Sequence, residues 1–191
     1  MKKIAIVAVV VVMMMGLAGS AFAANSLAQG SKGISVGFGN DVFNQPNMPT
    51  GPTTNTQNPV VDLSGRFFVA KDVALTLGAG LQLNSGDAEG TYLSLSFGAR
   101  KYLSTNDFAP FVGGQVSYTT YDAKNAAGAK IADATIFDLV GFVGAEYFFN
   151  KQFSVEGAIG LGLGQVSDDQ ANNDTTYLGT RTLGVKANFY F

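Results

Sequence analysis

Apolar and polar residues alternate with a period of two over most of the chain beyond residue 32. Such alternation is typical of a β-strand with one apolar and one polar face. Most of the alternating segments have the length of roughly nine to eleven residues that a tilted strand needs to cross a bilayer. Eight segments are predicted as strands, at residues 33–41, 60–69, 73–84, 91–103, 109–121, 135–149, 154–166 and 176–191.

The connections between these segments alternate between long and short. The long or polar ones are residues 42–59, 85–90, 122–134 and 167–175, and the tight ones are 70–72, 104–108 and 150–152. This order fits eight up-and-down strands with both ends of the chain on the side of the short turns. A closed barrel pairs every backbone group and leaves no open sheet edge. The predicted fold class is therefore all-β, an eight-stranded antiparallel up-and-down transmembrane β-barrel.

The polar phase of the strands is assigned to the lumen and the apolar phase to lipid. In the reverse arrangement, each inward Arg or Lys would cost roughly 2–4 kcal/mol at the middle of a membrane. The predicted lumenal polar set includes Asp62, Arg66, Arg100, Asp138, Glu146, Glu156, Lys186 and Asn188.

The first 23 residues have the organisation of a secretory signal peptide. Two lysines precede an apolar run at residues 4–15, and Ala21, Phe22 and Ala23 form a small-x-small cleavage site. The apolar run is shorter than the roughly twenty residues that a spanning helix needs. We therefore expect a cleaved signal peptide at 1–23 and a single barrel domain at 24–191.

The carboxyl end carries the clearest family resemblance. Residues 183–191, LGVKANFYF, alternate without interruption and stop on Phe191. This ending, with the strand count, resembles the small eight-stranded outer-membrane β-barrels of the OmpA/OmpX type. The resemblance implies the outer membrane of a Gram-negative bacterium with both termini in the periplasm, and Phe189 and Phe191 as an assembly signal. It also implies outer-membrane lipids, the barrel-assembly machinery and periplasmic chaperones as partners, and it names no surface ligand.

Aromatic residues crowd the segment ends that face the predicted periplasm. Their position suggests an aromatic girdle, which favours a membrane barrel over a soluble lipocalin-like barrel with an inward apolar face. The predicted lower girdle comprises Phe67, Phe68, Tyr102, Phe108, Tyr147, Phe148, Phe149, Phe153, Tyr190 and Phe191. A smaller outer group comprises Phe43, Tyr92, Tyr118, Tyr121, Phe137 and Tyr177.

Composition narrows the functions further. Signal cleavage leaves 10 Lys and Arg against 14 Asp and Glu, which weighs against a nucleic-acid partner. The chain has no cysteine for disulfide or thiol chemistry and no histidine. Enzymes built on small outer-membrane barrels resemble one another in using a catalytic histidine, so no enzyme, cofactor or metal site is predicted. A dyad of Glu146 and Glu156 is the remaining catalytic alternative.

The predicted lumenal charges gather in the periplasmic half of the barrel. Arg66, Arg100, Glu146, Glu156 and Lys186 all lie within a few residues of the short turns or the carboxyl terminus. An eight-stranded barrel is just wide enough for side chains to fill, so the charges are expected to pair into a polar plug. The predicted function is non-enzymatic, in envelope structure or surface interaction through the outer loops. The alternative is a narrow pore that opens when the charged residues exchange partners.

Overall fold

The computed structural model describes residues 27–38, 61–84, 88–168 and 173–191. The predicted signal peptide, the predicted first loop and Phe43 lie outside the described residues. No helix in the described ranges is long and apolar enough to cross a membrane.

Eight antiparallel strands close into a barrel in which each strand pairs with its neighbours in sequence. The last strand pairs with the first, with Ile34 opposite Phe189 and Gly37 opposite Lys186. This order confirms the predicted eight-stranded up-and-down barrel. The strands are β1 (Lys32–Phe38), β2 (Val61–Ala70), β3 (Val73–Asn84), β4 (Ala88–Tyr102), β5 (Phe108–Asn125), β6 (Lys130–Phe148), β7 (Phe153–Asp168) and β8 (Asn173–Tyr190).

The two faces of the barrel wall differ in the way that the alternation predicts. Large apolar side chains on the outward phase are exposed, including Phe97, Leu139, Ile159 and Leu161. The inward phase carries the buried side chains, both polar and apolar. The core of the protein is therefore the lumen itself, and the outer wall is an apolar surface.

Two predicted loops are largely strand, which corrects the sequence interpretation. β5 and β6 remain paired as far as Lys124 and Lys130, and β7 and β8 remain paired as far as Asp168 and Asn173. In the β5–β6 hairpin, the polar residues Asp122, Lys124 and Asp133 are the outward members of a continuing alternation, with the small residues Ala123 and Ala132 buried between them. In β7, Asp168 continues the inward phase and is buried. The β5–β6 turn is correspondingly short. Its amide hydrogen bonds to the side chain of Asn125 come from Ala127 and Ala129.

A β-bulge interrupts β8, so its alternation is not continuous over residues 183–191. Gly157 pairs with Val185 and Ile159 pairs with Thr182, which leaves one β7 residue opposite two β8 residues. Gly184 lies in this bulge with a φ of 67°, a left-handed conformation that favours glycine. The regular inward and outward alternation of the last strand resumes at Val185.

The end of the barrel that carries the short turns, called the turn end below, has a repeated construction in the even-numbered strands. In each of them an inward-facing polar residue is followed two positions later by an inward-facing aromatic residue. The four pairs are Arg66 and Phe68, Arg100 and Tyr102, Glu146 and Phe148, and Asn188 and Tyr190. Each aromatic N–H donates to a carbonyl of the preceding connection, at 2.7–3.0 Å. The acceptors are Ser31, Asp72, Asp107 and Gln152, so residues 27–31 take the place of a fourth turn.

Candidate functional site

Four charged side chains from four strands meet inside the barrel near its turn end. Arg66 from β2 and Arg100 from β4 both reach Glu156 on β7, at 2.8 Å and 2.6 Å. Arg66 also pairs with Glu146 on β6 at 3.0 Å. Arg66 is 2% exposed, and Glu146 is completely buried. The structure brings these four residues, called the charge cluster below, together inside the lumen.

Glu146 is the most fully bonded member of the charge cluster. The Tyr102 hydroxyl donates to its Oε2 at 2.5 Å, and the Asn188 amide donates to its Oε1 at 3.0 Å. The hydroxyls of Ser154 and Tyr190 also donate to Oε1. A buried carboxylate is tolerated only when its lone pairs have donors. Both oxygens of Glu146 meet this condition.

The cluster is balanced in formal charge, with two guanidinium groups facing two carboxylates. Desolvation of such ions is costly, and breaking one pair leaves an uncompensated buried charge. The arrangement therefore makes each charged residue depend on the others. Because Arg66, Arg100, Glu146 and Glu156 lie on different strands, that dependence extends across the lumen.

An aromatic layer lies beside the charge cluster at the turn end and is called the aromatic floor. Its rings form a continuous chain with centroid separations of 5.6–6.3 Å. The Arg100 guanidinium lies 4.4 Å from the centroid of Phe111, which is a favourable cation–π distance. The members are Phe68, Tyr102, Phe111, Phe142, Phe148 and Tyr190.

Four members of the aromatic floor correct the predicted lower girdle. Phe68, Tyr102, Phe148 and Tyr190 point into the lumen and are buried. The position of aromatic residues near strand ends did not distinguish the two faces. The alternation of inward and outward positions does distinguish them, because each of these four residues lies two positions after a polar residue that faces the lumen. Phe67, Phe108, Tyr147, Phe149 and Phe189 are the exposed aromatic residues at this end.

The predicted outer aromatic group also divides between the two faces. Tyr118 and Phe137 are exposed and lie opposite each other in the β5–β6 ladder. Tyr92 and Tyr121 pair with each other on the inward phase, which corrects their assignment to the outer surface. Tyr177 is likewise inward, since its hydroxyl donates to Asp138.

Two further predicted lumenal charges, Lys186 and Asp138, also lie on the inward phase of the barrel wall. Lys186 stands directly opposite Glu156 in the β7–β8 ladder and is half-buried. Asp138 is completely buried and forms a separate polar contact with Tyr177. Gly164 provides the space for that contact, because a Cβ there would lie 2.3 Å from Asp138 Oδ1. The backbone of Asp62 belongs to β2, but its side chain lies outside the described residues.

The two predicted assembly-signal residues lie at the seam between the last and first strands. Phe189 is exposed and packs against Phe153, with ring centroids 5.1 Å apart. The Phe191 N–H donates to the Lys32 carbonyl, and the Phe191 carbonyl accepts from the Lys32 N–H. The role of these residues in assembly stays a prediction.

Sequence reasoning identified the charged residues but missed Tyr102, Tyr190 and Ser154, which complete the shell of Glu146. In the described residues, no group of three or more Asp and Glu side chains could hold a metal ion. Both carboxylates of the charge cluster accept from arginine. The arrangement is thus suited to holding strands together across the lumen.

A solved structure with the same architecture is that of an outer membrane protein. No protein-family model matches the sequence, and a comparison with curated proteins found no significant match. The Escherichia coli outer membrane protein W aligns over 86% of this chain and 99% of its own, with 16% identity and a TM-score of 0.52. The N-terminal β-barrel domain of Pseudomonas aeruginosa OprF covers 85% and 98%, with 16% identity and a TM-score of 0.49. Ail of Yersinia pestis covers 85% and 99%, with 13% identity and a TM-score of 0.48.

At this level of identity, the likeness to outer membrane protein W concerns the fold alone. The chain shares the eight-stranded barrel, over almost the whole length of that protein.

Proposed function

We propose that this chain is an integral outer-membrane β-barrel with a closed lumen, which acts without catalysis in envelope structure or surface interaction through its outer end. The observation that carries the proposal is the contrast between the two faces of the wall. Leu139, Leu161 and Phe97 are more than half exposed on the outside, while Arg66 and Glu146 are buried inside. Soluble monomers rarely expose contiguous apolar surface of this extent.

The filling of the lumen supports a closed barrel rather than an aqueous channel. The charge cluster and the aromatic floor occupy the turn-end half. Further from the turns, Asp138, Val140, Ile136 and Thr119 are also buried. Buried side chains at successive levels are what an eight-stranded barrel is expected to contain.

A non-catalytic role is supported by the bonding of the lumenal acids. Glu146 and Glu156 lie opposite each other in the β6–β7 ladder, as a dyad would require. Each accepts from a guanidinium within about hydrogen-bond distance, and no histidine exists in the sequence to act as a base. Structural pairing accounts for both residues.

The outer end is the part available for interaction with other molecules. The β5–β6 hairpin continues beyond the exposed Tyr118 and Phe137 with polar outward residues. An exposed ion pair joins Lys130 to Asp133 near its turn. Such a hairpin adds a polar surface above an apolar wall, where contact with the outside of the cell would occur.

Cell fractionation and gel mobility test the proposed location. The full chain, expressed in a Gram-negative host, is expected to sediment with outer membranes and to change gel mobility on boiling. A soluble periplasmic product, or a mobility that boiling does not change, would contradict the membrane barrel. A matched soluble periplasmic protein serves as the fractionation control.

A narrow pore is the second candidate, and one observation favours it. Within the described part of the chain, Arg100 forms one ion pair, to Glu156, and its Nε, like that of Arg66, has no hydrogen-bond partner. A guanidinium held at few points can exchange partners more easily than one held at many. Planar-bilayer recording separates the candidates, because a sealed barrel gives no steady conductance and a pore gives it in the native protein. Arg100→Ala is the matched variant, which is expected to raise conductance if Arg100 blocks a path.

A further inference from the structure

The segment that precedes β1 is folded into the turn end of the barrel. Leu27 is 2% exposed and belongs to the buried cluster that includes Phe68 and Tyr102. Ser31, at the other end of the segment, is also buried. Residues 27–31 therefore contribute to the core, although they lie outside every strand.

Backbone hydrogen bonds attach this segment to β2 and to the β2–β3 turn. The Asp72 N–H donates to the Leu27 carbonyl at 3.1 Å, and the Gly30 N–H donates to the Phe68 carbonyl at 2.8 Å. The Phe68 N–H donates to the Ser31 carbonyl at 3.0 Å. These bonds fix the segment on one side of the opening and leave the Leu27 side chain against the aromatic floor.

A tight turn directs Leu27 toward the lumen. The Ser31 N–H donates to the Ala28 carbonyl at 3.1 Å, and Gly30 has a φ of 87°. A positive φ at the third residue fits a type II turn, for which glycine is the favoured residue. The turn reverses the chain just before β1 begins.

We infer that residues 27–31 form a stopper that closes the turn end of the lumen, with Leu27 as its plug. Leu27, the aromatic floor and the charge cluster then form successive layers. Water or a small solute that approaches the charge cluster from the turn end must displace Leu27 first. The stopper is the part of this closure that can move without separating two strands.

The attachment of the stopper predicts local rather than global opening. The described contacts that hold it are the buried side chains of Leu27 and Ser31 and a few backbone hydrogen bonds, whereas each barrel strand is bonded on both sides. Segments with few buried contacts open more often than the core to which they attach. Loss of the Leu27 contact should therefore expose the aromatic floor while the outer half of the lumen stays closed.

Thiol labelling tests the stopper directly, because the native chain contains no cysteine. Ala74→Cys places a thiol at a completely buried position in the cluster that contains Leu27. Thr119→Cys places one at a completely buried position beyond the charge cluster. The full chain in detergent is treated with a water-soluble maleimide, with and without Leu27→Asp.

Leu27→Asp is expected to raise the labelling rate at position 74 by about tenfold or more and to leave position 119 unchanged. Gln29→Asp, at an exposed position of the same segment, is the matched control and should change neither rate. Leu27→Ala is the milder variant, with a smaller increase of the same pattern. An unchanged rate at position 74, or equal increases at both positions, would overturn the stopper. The stopper depends only on the barrel fold. Its failure in this test would therefore leave the proposed outer-membrane location untouched.

Discussion

At the scale of single residues, adjacent glycines in β5 have opposite surroundings. Gly113 is inward, where a Cβ would lie 2.4 Å from the Phe142 ring and 2.6 Å from the Ala99 carbonyl. At Gly114 the nearest atom to a Cβ would be the Val140 carbonyl, at 3.6 Å. Glycine is therefore required at position 113 by the Phe142 ring, whereas position 114 has room for a Cβ.

We therefore expect Gly113→Ala to destabilise the barrel by about 1–3 kcal/mol, as overpacking does. Gly114→Ala should leave stability nearly unchanged or raise it slightly, because alanine restricts the unfolded chain. Urea unfolding in detergent, followed by circular dichroism, measures both. Equal effects of the two substitutions would contradict the tight packing of Phe142.

Glu146 should be more sensitive to substitution than any exposed acid. Glu146→Ala leaves the buried Arg66 without one of its two carboxylates, for which we expect a loss of about 3–5 kcal/mol. Asp133→Ala removes an exposed ion pair and should cost about 0–1 kcal/mol. The same unfolding measurement applies, and similar losses for both variants would contradict the buried network.

At the residue scale, the charged residues of the site were predicted from the sequence, whereas two of its tyrosines were not. Arg66, Arg100, Glu146 and Glu156 were predictable because charges on the lumenal phase must face inward. Tyr102 and Tyr190 were missed because the amphipathic tyrosine ring suits both a membrane boundary and a buried hydroxyl. Their phase, two positions after Arg100 and Asn188, was the signal that could have assigned them.

At the scale of elements, the β8 bulge determines the phase of the last strand. Gly184 adopts a left-handed conformation there, so the strand can bear one extra residue. On the β7 side, Gly157 has open space around the position of a Cβ. The two glycines flank the same irregularity, but only Gly184 is constrained by its backbone.

Gly184→Ala is expected to lower the free energy of unfolding by about 1–2 kcal/mol through left-handed strain. Gly157→Ala, the matched control, should be nearly neutral. Urea titration of the two variants checks the difference. A neutral Gly184→Ala would mean that the bulge can move along the strand.

Strand existence was predictable at this scale, whereas strand length was not. A membrane strand was expected to carry apolar residues at its outward positions. For that reason, the polar residues Asp122, Lys124 and Asp133 were predicted to lie in a loop. Above an apolar wall, however, outward positions of a continuing strand face water and become polar. Small residues such as Ala123 and Ala132 then keep the inward phase.

At the scale of the whole molecule, the charge cluster links strands that are not neighbours. Tyr102 on β4 and Tyr190 on β8 donate to different oxygens of Glu146 on β6. Arg66 on β2 donates to both hydroxyls. The two tyrosine hydroxyls therefore share Glu146 and Arg66 as partners, although β4 and β8 are not neighbouring strands.

Tyr102→Phe and Tyr190→Phe should consequently be non-additive, with a coupling of about 0.5–3 kcal/mol in a double-mutant cycle. A pair such as Tyr102→Phe with Asn125→Ala, at opposite ends of the barrel, should be additive. Unfolding free energies of the single and double variants give the coupling. Additivity of the two tyrosine substitutions would contradict a shared network.

The short turn between β5 and β6 has a practical consequence. The Asn125 N–H donates to the Ala129 carbonyl, and the Gly128 N–H donates to the Asn125 carbonyl. The Asn125 side chain accepts from the amides of Ala127 and Ala129. The turn is thus exposed, and these hydrogen bonds lie within the turn itself. It stands at the opposite end of the barrel from the charge cluster. A foreign peptide inserted beside Gly128 should therefore be displayed without disturbing closure, which makes this hairpin the natural grafting point for an epitope or affinity tag.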